Sequence, residues 1–229
     1  MTRPVAILRP EPGNAATAGR ALAMGLRVIR LPLFVIRRLD WTPADPAAHD
    51  ALVLTSANAV RNAGPRLHDY ARLPVFAVGR ATAEAACAAG LDVTAIGNSG
   101  LAALSETLGA HGVARGLHLA GRDRVIAGEA HLSDVRIVYA SEAAAVTPDD
   151  VARLSGCVAL LHSPRAAMRL ARAVDAGGVD RNSIAIAAIG EAVANAAGSG
   201  WETVRWVSEP GDAALLALAA TLADRGRAD

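Results

Sequence analysis

The feature that most constrains this chain is a strand-to-helix corner that occurs twice in the sequence. The first copy is Leu-Thr-Ser-Ala-Asn at 54–58 with Ala-Val-Gly-Arg-Ala-Thr-Ala at 77–83. The second is Leu-His-Ser-Pro-Arg at 161–165 with Ala-Ile-Gly-Glu-Ala-Val-Ala at 188–194. In both copies a serine and a glycine stand where an apolar run ends and an Ala-rich helical pattern begins. Because the free N–H groups at such corners receive anions, the duplication predicts a ligand with several negative groups.

Short apolar runs alternate with Ala-rich helical patterns through most of the chain. This alternation predicts an α/β fold with parallel sheets flanked by helices, of the flavodoxin or Rossmann type. The first strand and helix bury their apolar faces only by joining the sheet of the C-terminal half. We therefore predict two lobes: a discontinuous domain of residues 1–36 and 143–229, and an inserted domain of residues 37–142. The extended runs 27–39 and 135–139 are expected to form a two-stranded β bridge between them.

Composition narrows the class of function. The net charge of +1 leaves no basic excess for nucleic acid, and no apolar run reaches the ~20 residues of a membrane helix. Since the N-terminus does not resemble a secretory signal, we expect a cytoplasmic protein with no nucleic-acid or membrane partner. All 23 basic residues are arginine, which excludes lysine Schiff-base chemistry. Cys87 and Cys157 lack CxxC spacing and are expected to be buried thiols, and the scattered histidines predict no metal site.

The corner residues allow a structural and a functional interpretation. Ser56 and Ser163 are candidate helix N-caps that would also present a hydroxyl to a ligand. Gly79 and Gly190 either allow close packing of a helix on a strand or admit an anion, and no complete GxGxxG accompanies them. The corner residues that we consider as ligand-binding candidates are Ser56, Ala57, Asn58, Gly79, Thr82, Ser163, Gly190, Glu191 and Ala192.

Arginines that follow predicted strands are further candidates, because α/β sheets bind ligands at the carboxyl ends of their strands. Arg9 follows the first strand, and Arg122 and Arg124 follow a strand near 117–120. Each is either a ligand for a carboxylate or a solvated surface charge. Tyr139 lies on the predicted bridge, where we expect it to face the space between the lobes.

Six segments, taken in order, resemble the uroporphyrinogen-III synthase family over the length of the chain. They are Arg-Pro at 9–10, Thr-Ser-Ala-Asn-Ala-Val at 55–60, Val-Gly-Arg-Ala-Thr-Ala at 78–83, Val-Tyr at 138–139, His-Ser-Pro-Arg-Ala-Ala at 162–167, and Ile-Gly-Glu-Ala-Val-Ala-Asn-Ala-Ala at 189–197 with Gly-Trp at 200–201. The resemblance implies a two-lobed fold with a discontinuous first domain. It also implies a cyclising lyase of tetrapyrrole (haem) biosynthesis that closes hydroxymethylbilane to uroporphyrinogen III, inverting ring D through a spiro intermediate. No metal or organic cofactor is implied, and we expect a monomer that contacts the preceding pathway enzyme at most transiently.

The resemblance also implies roles for individual residues. Tyr139 matches the tyrosine proposed to help the substrate hydroxyl leave. Ser56, Thr82 and Ser163 match positions that contact the acetate and propionate groups of the substrate. Arginine commonly follows the family tyrosine, whereas Ala140 follows it here.

The second corner departs from the family pattern. The family often has Pro-Thr-Thr after the second glycine, where this chain has Glu-Ala-Val at 191–193. A hydroxyl is lost there and a negative charge is gained, so this corner is expected to rely on backbone N–H groups. The departure favours an alternative function, a diverged non-catalytic two-lobed module that binds an anionic small molecule. A nicotinamide-dependent oxidoreductase is the third possibility, and it lacks the full glycine fingerprint.

Overall fold

The computed structural model describes residues 2–97, 100–124 and 130–225. The chain divides into two compact units. Unit 1 comprises Met1–Val35 and Ala143–Asp229, and unit 2 comprises Ile36–Glu142. Both contain parallel strands flanked by helices, as the strand–helix alternation predicts.

Unit 1 is built on a five-stranded sheet. Its strands are β1 (Val5–Ile7), β2 (Val28–Arg30), β9 (Val158–Leu161), β10 (Ala185–Ala188) and β11 (Thr203–Trp206), and its helices are α1 (Gly13–Ala23), α5 (Pro148–Ala152), α6 (Pro164–Ala176), α7 (Glu191–Ala197) and α8 (Asp212–Arg225). The strand order is β11-β10-β9-β1-β2, with all neighbours parallel. Val5 and Ile7 pack in the cluster that holds α8, whereas Ala6 and Leu8 pack with α6 and α7. Burial on both faces explains why these strands are continuous apolar runs.

Unit 2 is built on a six-stranded sheet. Its strands are β3 (Phe34–Arg38), β4 (Ala51–Leu54), β5 (Val75–Val78), β6 (Val93–Gly97), β7 (Gly116–Gly121) and β8 (Leu132–Ala143), and its helices are α2 (Ala57–Ala63), α3 (Arg80–Ala88) and α4 (Gly100–Ala110). The strand order is β3-β8-β7-β4-β5-β6, and the strands from β8 to β6 are parallel. Leu52 and Leu54 pack with α2 and α3, whereas Ala51 and Val53 pack with α4. The carboxyl ends of β4, β5 and β7 therefore meet at one edge of this sheet.

The two cysteines differ in their exposure to solvent. Cys157 is buried as expected, but the prediction for Cys87 is wrong because its side chain is exposed. The residues of α3 that are buried are Thr82, Ala83 and Ala86, at helical spacing, and Cys87 lies on the solvent-facing side.

Candidate functional site

A cavity of about 270 Å³ lies at the carboxyl edge of the unit 2 sheet. Thr55 follows β4 in this lining, Val78 ends β5 and Gly121 ends β7. The carboxyl ends of neighbouring strands are where α/β sheets bind ligands. The lining residues are Thr55, Ser56, Val78, Leu101, His118, Gly121, Asp123, Arg124 and Tyr139. The cavity therefore brings together two hydroxyl groups, a phenol, an imidazole, a guanidinium group and the carboxylate of Asp123.

Ser56 has the capping role that the sequence predicts. Its Oγ accepts a hydrogen bond of 3.1 Å from the backbone N–H of Asn58 at the start of α2. Ser56 also lines the cavity, so the same residue follows β4, begins α2 and offers a polar group to a ligand. Ala57 and Asn58 form the first turn of α2 and do not line the cavity.

Tyr139 is held in the cavity by its register with β7. A bulge shifts the pairing of β7 and β8 between Ala120 and Gly121, so that Gly121 lies opposite Tyr139. The Tyr139 ring then lies over the Cα of Gly121. A Cβ added to Gly121 would come within 2.6 Å of the ring Cζ and 2.8 Å of the hydroxyl oxygen. Only glycine at position 121 leaves this space for the phenol.

His118 and Thr55 form a polar pair beside the phenol. His118 lies inside β7 and is only 1% exposed. Its Nε2 is 2.9 Å from the Thr55 Oγ1. Burial lowers the pKa of His118 to about 4, and the positive charge of Arg124 contributes to the shift. The imidazole is therefore neutral at physiological pH.

Three other predicted residues of unit 2 lie near this edge without lining the cavity. The backbone N–H of Gly79 donates to the Gly97 carbonyl oxygen at 2.8 Å, so that N–H is used within the sheet. Thr82 is 4% exposed in the first turn of α3. Arg122 lies 3.7 Å from Glu142 and points more than half of its side chain to solvent. Their roles in ligand binding stay predictions.

The corresponding corner of unit 1 has a different local geometry. Ser163 caps α6 by accepting a hydrogen bond of 3.2 Å from the Ala166 N–H. Gly190 precedes α7 with extended backbone (φ 175°), whereas Gly79 has a φ of 79° that only glycine adopts without strain. Glu191 and Ala192, the first residues of α7, are exposed. The two corners therefore share a sequence pattern but not a backbone conformation.

Arg9 belongs to a polar cluster around Asp212 rather than standing alone at the end of β1. The Asp212 carboxylate accepts hydrogen bonds from Arg9 at 3.1 Å, Thr17 at 2.8 Å and Arg20 at 2.9 Å, and lies 2.9 Å from His162 Nε2. Burial raises the pKa of Asp212, but the hydrogen bonds from His162, Thr17 and Arg20 outweigh this and hold it well below its usual range. The cluster joins the start of α8 to α1 and the ends of β1 and β9.

His162 shows the opposite balance within the same cluster. Burial lowers its pKa, the hydrogen bond to Asp212 opposes this, and the positive charges of Arg9 and Arg20 lower the pKa further. Asp212 neutralises part of the charge of Arg9 and Arg20, and the hydrogen bond from Arg9 to Asp212 joins the end of β1 to the start of α8. A contact between Arg9 and a ligand stays a prediction.

His118, Thr55 and Asp212 are members of polar clusters that the sequence does not predict. A signal exists for His118, since one polar residue stands among buried apolar residues in Leu-His-Leu at 117–119. Asp212 gave no such signal, because its partners come from three distant segments. Within the described ranges no group of His, Cys, Asp or Glu is placed to hold a metal ion, and no helix is long and apolar enough to cross a membrane.

Comparison with known proteins gives consistent matches. A family model described as uroporphyrinogen-III synthase HemD matches residues 15–217. The structure resembles that of uroporphyrinogen-III synthetase from Helicobacter pylori, at 17% identity and a TM-score of 0.65, over 96% of this chain and 99% of that one. It also resembles a mutant uroporphyrinogen III synthase from Thermus thermophilus, at 15% identity and a TM-score of 0.57, over 97% of this chain and 99% of that one. At these identities the structural likeness shows the fold. No curated protein sequence matches the chain.

Proposed function

This chain belongs to the uroporphyrinogen-III synthase family, and we propose that it closes hydroxymethylbilane to uroporphyrinogen III with inversion of ring D. The observation that carries the proposal is the combination of a family match over residues 15–217 with the cavity that contains Tyr139. The family match gives the reaction class, a cyclisation in haem biosynthesis. The cavity supplies groups that suit an acidic substrate with a hydroxyl leaving group.

The Tyr139 phenol is the proposed proton donor. In the first step the C–O bond to the substrate hydroxyl breaks, the phenol proton goes to that oxygen, and water leaves to give an azafulvenium cation beside the Tyr139 phenolate. The terminal pyrrole then attacks through its substituted carbon, forming a spiro intermediate that fragments and recloses with ring D inverted. Loss of a proton restores the aromatic pyrrole and reprotonates the phenolate. A well-placed acid of this kind contributes roughly 10²–10⁴-fold to the rate.

The hydroxyl and guanidinium groups of the cavity are the proposed ligands for substrate carboxylates. Ser56 and Thr55 offer hydroxyl groups, and Arg124 supplies a positive charge whose field reaches His118 in the same cavity. Guanidinium groups pair with carboxylates through two parallel hydrogen bonds. By holding the acetate and propionate groups, the protein would select one folded conformer of a flexible chain, which is the main task in choosing between two ring closures.

We further propose that the two units are the two domains predicted from the sequence, 1–36 with 143–229 and 37–142. The unit boundaries at 35/36 and 142/143 support this assignment. We also propose that β3 and β8 are the two connecting strands. They are neighbours in the sheet, and the Leu39 N–H donates to the Val138 carbonyl at 3.0 Å.

One observation favours the alternative, a non-catalytic binding module of the same fold. Glu191 places a carboxylate at the start of α7, where the second corner would receive an anion. Val193, which stands where the family often has a hydroxyl, is 6% exposed and packs in the core. This corner would bind an acidic group weakly, which is the change expected in a protein of this fold that has lost its catalytic activity.

The deciding experiment supplies the purified chain with hydroxymethylbilane generated enzymatically and separates the product isomers. The proposed function predicts type III isomer in excess of the blank. Type I isomer alone, with the same yield as the blank, would reject it. Binding of uroporphyrinogen III measured by calorimetry, without turnover, would establish the binding module instead.

A further inference from the structure

The surroundings of His118 determine which group donates in the hydrogen bond between His118 and Thr55. Nε2 of His118 lies 2.9 Å from the Thr55 hydroxyl, and either atom is able to donate. Nδ1 of the same ring is buried and has no hydrogen-bond partner among the residues that the structure describes. The protonation of Nδ1 and the direction of the contact are therefore linked, because a neutral imidazole carries one N–H only.

The two tautomers differ in what they leave buried. With the proton on Nδ1, a buried N–H donor would have no acceptor, which is a rare and costly arrangement. With the proton on Nε2, Nδ1 keeps an unused lone pair and Nε2–H donates to Thr55. His118 lies on the apolar α4 side of the sheet, beside Val53 in the β4–β7 register, and the Val53 side chain offers no acceptor. The second tautomer is thus favoured.

We propose that His118 is a positioning residue that donates from Nε2 to the Thr55 hydroxyl and so fixes Thr55 as a hydrogen-bond donor to an acidic group of the substrate. With its oxygen already accepting, the Thr55 hydroxyl turns its own proton toward the cavity that it lines with Ser56 and Tyr139. Thr55 then offers its proton to a carboxylate, while His118 occupies one of the two lone pairs of its oxygen. This role of Thr55 toward the substrate rests on the function proposed above.

The neutral state of His118 is part of this arrangement. A neutral imidazole keeps one proton and one fixed direction, whereas a charged one would add a second donor inside an apolar face. Burial and the charge of Arg124 lower the pKa of His118 and keep the ring neutral near pH ~7. The polarity of Thr55 is therefore constant over the range in which substrate carboxylates are ionised.

The first arm of the test is independent of activity. Long-range ¹H–¹⁵N correlation spectra of the ¹⁵N-labelled full chain report which imidazole nitrogen carries the proton, and His118→Leu identifies the His118 signal by its loss. We expect the Nε2–H tautomer, and a change of the Nε2 shift in Thr55→Val, which keeps the shape of Thr55 and removes its hydroxyl. An Nδ1–H tautomer would overturn the proposal.

The second arm measures KM and kcat for hydroxymethylbilane in a double-mutant cycle. His118→Leu should raise KM by about fivefold, the effect of one hydrogen bond, with kcat little changed. In the Thr55→Val background the same change should have no further effect on KM. His68→Leu, at an exposed position of unit 2, is the matched control and should behave as wild type. His118→Gln keeps an N–H donor, gives a second variant if His118→Leu folds poorly, and should recover part of the lost affinity.

The outcomes separate the two proposals. An equal rise of KM in both backgrounds, or a loss of stability with KM unchanged, would make His118 a packing residue and overturn its positioning role. If wild-type protein forms only type I isomer, the proposed function fails, and with it the role of Thr55 in binding that substrate. The tautomer measurement then decides the His118–Thr55 contact alone.

Discussion

Replacing Gly121 by alanine should displace the Tyr139 phenol without altering any group that reacts. The φ of Gly121 lies outside the left-handed region that favours glycine, so the main chain allows alanine there. The obstacle is the ring alone. The added Cβ would lie 2.6 Å from Cζ and 2.8 Å from the hydroxyl oxygen of Tyr139.

The size of the effect follows from these distances. Carbon atoms pack at about 3.5 Å or more, so the ring has to move by about 1 Å. A misplacement of about 1 Å costs roughly 10²-fold in rate, and we expect that loss in kcat with KM little changed. Overpacking costs about 1–3 kcal/mol, and the stiffer unfolded chain offsets about 0.4–1 kcal/mol of it. Because Tyr139 is half-buried and able to yield toward the cavity, a net loss near the low end, about 1 kcal/mol, is expected.

The assay is the initial rate of type III isomer formation, accompanied by urea unfolding. Gly19→Ala is the matched control: it lies inside α1 with open space around its Cβ, and should leave the rate unchanged and raise stability slightly. In a Tyr139→Phe background, where no hydroxyl remains to be displaced, Gly121→Ala should cost far less. Retention of the wild-type rate to within about twofold by Gly121→Ala would refute the reasoning.

The other predictions concern the corners, the polar cluster of unit 1 and the thiols. Gly79→Ala should lower the free energy of unfolding by about 1–3 kcal/mol, because φ is 79° there. Gly190→Ala should have little effect, because Gly190 has extended backbone and open space around it. Equal decreases of the free energy of unfolding in urea for the two variants would contradict this difference between the corners. Asp212→Asn should cost about 2 kcal/mol at neutral pH. The pKa of Asp212 is lower in the folded protein than in the unfolded chain, so the stabilisation by its carboxylate is present above pH ~4 and declines as the pH falls further. A difference in the free energy of unfolding between variant and wild type that is the same at neutral pH and in acid would contradict this. Burial raises the pKa of Cys157 to about 12. A thiol reagent should therefore modify only the exposed Cys87 in native protein and both thiols after denaturation. Two reactive thiols in the native state would contradict the burial of Cys157.

Much of the fold is predictable because its elements are encoded locally. The Ala-rich helical patterns that begin after Ser56 and Ser163 in the sequence are α2 and α6 in the structure. The two extended runs are exceptions. The run predicted at 27–39 is divided into β2 and β3, which belong to different sheets. The apolar pattern predicts 135–139 for the other, and β8 spans Leu132–Ala143. Its first residues include polar ones, and they are extended because β8 pairs with β7 from Leu132 to Tyr139, which local pattern does not reveal.

The site is less predictable, because its members are selected by backbone geometry. The sequence points to both Arg122 and Arg124 after β7, and only Arg124 lines the cavity. A register shift lies at the end of β7, just before both arginines, and no residue type marks it. The two corner glycines look equivalent in sequence, yet only Gly79 has a φ in the left-handed region. His118 was missed because its partner, Thr55, is far away in sequence.

We propose that Tyr139, in the cavity of unit 2, acts as the proton donor of a uroporphyrinogen-III synthase. The rate of type III isomer formation from hydroxymethylbilane, measured for wild type and Tyr139→Phe in parallel, tests this role. We expect type III product from wild type, and a kcat lower by roughly 10²-fold or more in the variant with KM little changed. Type I product alone from wild type, or equal kcat in the two proteins, would contradict it.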